Sequence, residues 1–238
     1  MTYGGRPDSN PVGKLYPNGT QPALEGDTAV FIDRITKLPL AHQPGAAFEY
    51  GFSIDVLSAV VEKVSGQRLG EYLQANVWKP LGMQDTTFTL TEPMRPRLAQ
   101  PFAQNPLDGK AQTIVLLNQA TKFGCGGACA FSTLADYLRF GQMLMNGGVL
   151  DGQRVLSPKT VARMRSNHLG PEIDNNVGKV EPHREGFGFG LGVAVRTHAG
   201  LSAAPGNVAE YTWNGGYGTA FFAVRPKNWW SCRDRGTR

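Results

Sequence analysis

The chain has 238 residues, enough for one large domain or two intimate subdomains. An apolar share of 41% with 18% charged residues excludes a disordered chain, while 30 glycines and 16 prolines predict many turns and caps. The net charge of +5 comes from scattered basic residues with no run of five or more, so nucleic acid is not an expected partner, and no stretch of about 18 apolar residues marks a membrane span.

Residues 1–27 are rich in Gly, Pro and Asn and read as an extended surface segment. Apolar residues at helical spacing predict a short helix over Thr28–Leu38, broken by "PLAHQPG". The clearest helix follows. Ser53 reads as its N-cap, Ile54, Leu57, Val60, Val61 and Val64 form one face, and Gly66 supplies the left-handed stop. A further helix near Gly70–Val77 leads into the turn-rich "KPLGMQDTTF", and a weakly structured stretch runs from Thr91 to about Ala120. The glycine loop "GCGGACA" then feeds a helix with capping-box spacing at Thr133 and Asp136, ended by Gly147–Gly148. Ser157–Pro158 opens one more helix, with serine as cap and proline in the first helical position. After Asn167, "FGFGLGVAVRT", "EYTWNGG" and "GTAFFAVRP" are short, Gly-punctuated and β-branched or aromatic, as antiparallel strands are. The reading is an α+β chain, mainly helical over 1–166 and mainly stranded over 167–227, with no internal repeat.

Two segments could carry chemistry. Tyr50 stands just before a helix, where the helix dipole, free amides and a nearby ammonium would favour its phenolate and let it move a proton. Taken alone, a tyrosine is far more often a core or interface residue than a catalytic one. In "YTWNGGYGT", a strand exposing backbone amides beside Gly215–Gly216 can receive an oxyanion, but a β-bulge or tight hairpin has the same signature. The loop Gly124–Gly127 lacks the Gly-Lys-Ser/Thr of a phosphate loop. His42, His168, His183 and His198 show no metal-binding spacing, so no metal or cofactor is expected. Cys125, Cys129 and Cys232 make an odd set with no CxxC, and no disulfide framework is expected. The first residues lack the charged and apolar regions of a signal peptide. A cytoplasmic location is the default, with a periplasmic or secreted one open if an N-terminal segment is missing.

Taken in order, "LPLAHQPGAAFEYGFSIDVLSAVVEKVSGQRLGEYL", "KPLGMQDTTF", "FSTLADYLRFGQMLMNGGVLDGQRVLSPKTV", "FGFGLGVAVR" and "YTWNGGYGTAFFAVRPK" resemble the serine β-lactamase-like family of class C β-lactamases, penicillin-binding DD-peptidases and related esterases. The resemblance implies a partial fold of that type, a helical subdomain packed on a remnant of an antiparallel sheet. The family's tyrosine motif falls on Tyr50-Gly51-Phe52, implying general base and acid for Tyr50. Its strand motif falls on Trp213-Asn214-Gly215, with the Gly216 amide as the implied oxyanion donor. The segment Gly124–Gly127 resembles one bordering the cleft, with no assigned chemical role.

Three departures refine the expectation. Phe52 replaces an asparagine that binds a substrate amide, and Trp213 replaces a lysine that helps hold a carboxylate, which tilts the site from anionic β-lactams or peptides towards neutral esters. The family's nucleophile lies in Ser-x-x-Lys, and no serine here has lysine three residues later. Residues 1–5 resemble a chain beginning after that serine. The tail 228–238 is polar, basic and unlike a strand, as a frameshift or truncation near Lys227 would make it, leaving open sheet edges. The expected function is thus an esterase-like serine hydrolase acting on a small ester or amide, represented by a fragment without its nucleophile and inactive as given. The alternatives are a non-catalytic remnant binding a ligand or protein partner in the old cleft and, among enzymes, a β-lactamase or D-amino-acid peptidase. Oligomeric state is not legible.

Overall fold

The computed structural model describes residues 1–4, 11–100, 102–105, 108–111, 120–224 and 229–234, the last by backbone alone. Part of the Thr91–Ala120 stretch, residues 225–228 and residues 235–238 lie outside the described residues. The architecture is mixed α+β: a helical subdomain beside a small open antiparallel sheet. Helices α1 (Gln21–Glu25), α2 (Thr28–Thr36), α3 (Ser53–Ser65) and α4 (Leu69–Leu73) come first, the last running into a π-helical turn at Gln74–Trp78. Then α5 (Leu134–Met145), the hairpin β1 (Val149–Leu150) and β2 (Gln153–Arg154), α6 (Pro158–Met164) and α7 (Val177–Val180) precede the sheet. That sheet is the meander β3 (Phe187–Phe189), β4 (Ala194–Arg196), β5 (Tyr211–Asn214), β6 (Thr219–Val224) and β7 (Trp229–Asp234), in sequence order. Among the described residues no helix is long and apolar enough to cross a membrane.

Local signals set the helix ends. The Thr133 hydroxyl accepts the Asp136 N–H at 3.2 Å, and Ser157 does the same for Thr160 N–H at 3.0 Å with Pro158 as first helical residue. Gly66, Gly147 and Gly148 all have positive φ, as helix stops require. Replacing Thr133 by alanine is therefore expected to lower stability by about 1 kcal/mol, read from the urea midpoint. The buried Asp136 carboxylate also accepts Asp85 N–H at 2.7 Å and Thr86 hydroxyl at 2.9 Å, tying α5 to the turn before it.

Helix α3 departs from expectation. Ser53 is its first residue and not its cap; Phe52 holds the cap position without a side-chain bond because its ring is drawn into the core, 2% exposed. The predicted apolar face is only partly turned inward: Ile54 and Val61 are half-buried, Val61 against the core. Leu57, Val60 and Val64 face outward, Val64 82% exposed, while Asp55 and Ser58 are buried. The inward side is a polar seam. Ser58 Oγ accepts Gly126 N–H and Asp55 Oδ1 accepts Gly127 N–H, both at 3.0 Å. A β-carbon at Gly126 would lie 2.3 Å from Ser58 Oγ, so glycine is what permits the approach.

The sequence also undersold two features. Cys125 and Cys129 are joined by a disulfide, their Cα atoms 5.3 Å apart. The turn in which Cys129 N–H bonds Cys125 carbonyl brings the two sulfurs together despite the missing CxxC spacing. And the tail contains a strand: Trp229–Asp234 pairs antiparallel with β6 from Val224↔Trp229 to Thr219↔Asp234. Backbone pairing needs no apolar tail, and "WWSC" has the aromatic content that strands favour. β6 is thus an interior strand, not the open edge expected.

The core gathers Phe31, Phe52, Leu81, Met143, Val195 and Tyr211 between helices and sheet. A smaller cluster of Val177, Phe187 and Ala194 lies under Phe48, Phe189 and Trp213.

Candidate active site

Tyr50 and Trp213 are 163 residues apart in sequence and meet in the structure. The Trp213 indole N–H donates to Tyr50 Oη at 3.0 Å, and the two rings lie 4.8 Å apart. A strut brings them together. Gly45, at φ 84°, turns the chain after Pro44, and Ala47 then pairs with Asp174 as an isolated bridge. Phe48 N–H bonds Asp174 carbonyl at 2.9 Å, and Asn176 Nδ2 donates to Phe48 carbonyl at 3.2 Å. From the other side Asn175 Nδ2 holds Phe187 carbonyl of β3. The tyrosine is fastened to the sheet before α3 begins.

Behind Trp213 stands a residue that no motif announced. Arg184, at the end of a 3₁₀ turn over Pro182–Arg184, is 3% exposed. Its guanidinium lies 4.5 Å over the Trp213 ring, and its Nη1 donates to Asn214 Oδ1 at 2.5 Å. Asn214 Nδ2 in turn reaches Glu181 Oε1 at 3.4 Å. Beneath Tyr50, Tyr3 packs edge-on at 5.6 Å and donates to Asp55 Oδ2 at 3.4 Å. Gly51 is required there, since a β-carbon would sit 2.4 Å from Thr2 Cα. Tyr3, Asp55, Glu181 and Arg184 all escaped the sequence reading. Tyr3 lies in the loop-like first residues, and a lone arginine in "EPHREG" carries no spacing signal.

Electrostatically, Tyr50 is not the activated phenol that a helix mouth suggests. Burial pushes its ionisation above the ordinary tyrosine value; the Trp213 hydrogen bond pulls it back, Asp55 and Glu181 push it up, and Arg184 pulls it down. The cation that helps is a guanidinium rather than an ammonium. Burial likewise raises the Asp55 carboxyl, against the Gly127 and Tyr3 hydrogen bonds that lower it. The Tyr50 O–H itself has no acceptor among the described residues, which leaves it available to a ligand.

The strand motif divides in two. Trp213 and Asn214 are half-buried and engaged, whereas Gly215 and Gly216 are exposed. Gly215 N–H is spent on Thr219 carbonyl at 2.8 Å. Gly216 N–H meets no acceptor among the described residues, and a β-carbon there would find open space. Of the two glycines, only Gly216 offers a free donor. Phe52, aligned with a substrate-binding asparagine, lies in the core between Tyr3 and Phe31. The glycine loop 124–127 supports α3 through Asp55 and Ser58. Among the described residues no group of three or more His, Cys, Asp or Glu could hold a metal.

Comparison with known proteins identifies the family. Protein Rv1367c of Mycobacterium tuberculosis is 33% identical over 89% of this chain and 53% of its own length. Lovastatin esterase of Penicillium rubens is 29% identical over 86% of this chain and 54% of its own. Among solved structures, EstCE1, a hydrolase with promiscuous acyltransferase activity, superposes with a TM-score of 0.64 at 27% identity, covering 83% of this chain and 53% of that one. The chain thus spans about half the length of the curated relatives it matches. The family model described as Beta-lactamase matches residues 5–230, and the chain belongs to that family of serine-hydrolase and esterase-like proteins.

Proposed function

We propose that this chain carries the tyrosine and strand motifs of an esterase-like serine hydrolase that works through an acyl-enzyme. Tyr50 is the general base and acid, and the Gly216 N–H is one donor to the oxyanion. The observation that supports this reading most is the 3.0 Å bond from Trp213 to Tyr50, by which residues of the two motifs meet. Their junction offers an indole and an amide at its surface, while its guanidinium is buried beneath them, so small neutral esters fit it better than carboxylates. The esterase named among the relatives points the same way.

No serine of the chain stands in Ser-x-x-Lys, so the 238 residues as given lack the family's nucleophile. Mixed with p-nitrophenyl butyrate, the chain is expected to show no burst of p-nitrophenol and a rate equal to that of Tyr50→Phe. A burst, or a tenfold fall on Tyr50→Phe, would mean that another nucleophile is present and would overturn the inactive reading. The role of Tyr50 is tested by joining to the start of the chain a helical segment that carries Ser-x-x-Lys. A burst should then appear, and Tyr50→Phe should lower turnover by about 10²-fold or more. A folded, inactive chimaera would sink the assignment.

A further inference from the structure

Arg184 is a poor stabilising device by its own geometry. A buried arginine contributes to stability when its fork is fully used, ideally against a carboxylate held bidentately. Here Nη1 remains 3.9 Å from Glu181 Oε2 and reaches the neutral Asn214 amide, and the buried Nε has no partner among the described residues. What the guanidinium does engage is the strand motif: the face of Trp213 and the side chain of Asn214. A cation over an indole face draws electron density from the ring and makes its N–H a stronger donor, and that N–H is the one bonded to Tyr50.

We propose that Arg184 is the positioning residue of this site: it clamps Trp213 and Asn214 from behind, so that the indole N–H stays aimed at the Tyr50 oxygen, and sets a positive charge behind that bond. It thereby supplies, from the turn after α7 and out of reach of the substrate, a cation for a tyrosine whose neighbouring strand motif carries none. The charged and titratable groups around Tyr50 fit this arrangement. Tyr3 and Asp55 lie on the α3 side and Glu181 on the α7 side, all able to repel a phenolate, and Arg184 is the group that opposes them. The value of this role to catalysis rests on the function proposed above, but the clamp itself is testable without turnover.

The readout is hydrogen exchange of the Trp213 indole N–H, followed by NMR in the 238-residue chain. Arg184→Met, which keeps length and apolar bulk, is expected to accelerate that exchange at least tenfold, towards the rate seen when Tyr50→Phe removes the acceptor. Backbone amides of β4 and β6 should stay within about twofold of their starting rates. Arg184→Lys, which retains charge without the planar fork, should fall between. An unchanged indole rate in Arg184→Met would overturn the proposal, and so would an equal acceleration of all sheet amides, which marks a merely structural arginine. If Arg184→Met does not fold, Asn214→Ala removes the acceptor of Nη1 and leaves the guanidinium over the ring. A threefold or greater acceleration is expected there, and no change would equally refute the clamp.

Discussion

Glu210→Ala should be the most destabilising single substitution at any ion pair of this chain, costing about 3–5 kcal/mol in a urea titration. Glu210 Oε1 accepts Arg196 Nε at 2.7 Å, with the arginine side chain 2% exposed, and Oε2 accepts Asn207 N–H at 3.0 Å. The same guanidinium donates to Ala204 carbonyl at 3.1 Å and lies 4.7 Å over the Phe187 ring. The pair closes the whole β4–β5 connection, including Ala209, whose φ of 71° is unusual for a residue with a side chain. Removing the carboxylate strands a desolvated cation and frees that loop. Exposed pairs such as Lys37–Asp33 differ by their solvent screening, and breaking them should cost well under 1 kcal/mol. The double change Arg196→Met with Glu210→Leu should recover most of the loss, because burying neither charge removes the desolvation penalty. A cost below 1 kcal/mol for Glu210→Ala would show that water reaches the arginine.

The second large effect is alkaline. Burial raises the ionisation of Tyr3 well beyond the ordinary tyrosine range and that of Tyr50 above its usual 10.0. In the unfolded chain both phenols lose their protons near pH 10, whereas in the fold they keep them. Between those limits the unfolded state binds fewer protons, so stability falls as pH rises. It is fully present below pH 10 and is lost progressively towards the folded values. Tyr3, the more strongly shifted of the two, contributes a slope of at most about 1.4 kcal/mol per pH unit in that window, and Tyr50 adds to it in the same direction. Tyr16 and Tyr217 are shifted in the same direction, so the test is a difference. Urea midpoints measured from pH 8 to 11.5 should fall less steeply in Tyr3→Phe than in the parent. Equal slopes would mean that Tyr3 ionises freely in the fold.

How legible each part was depended on whether its cause is local. Thr133, Ser157–Pro158 and Gly66 act within one turn, so the starts of α5 and α6 and the end of α3 could be read from neighbouring letters. Strand β5 was legible because its aromatic and β-branched residues stand together in one run before Gly215–Gly216. The orientation of α3 was not. Periodicity marks Ile54, Leu57, Val60, Val61 and Val64 as one stripe, but how far it turns inward is decided by the partners. Val61 meets the core, while the glycine loop draws in Asp55 and Ser58 and leaves Leu57, Val60 and Val64 exposed. Arg184 and Tyr3 were illegible for a similar reason: each is a single residue whose meaning comes from what the fold sets beside it. The paired tail was misjudged because its side chains were weighed, whereas a strand is joined through its backbone.

The polar seam under α3 also sets a mechanical tolerance. An oily interface can slip or roll by a fraction of a turn at little cost, but Asp55 and Ser58 each grip one amide of the loop 70 residues onward and cannot move without letting go. The helix is keyed rather than greased into its seat. Tyr50, three residues ahead of the first turn, inherits that indexing, so the aim of the phenol is calibrated at the far side of the helix by two glycines that never enter the cleft.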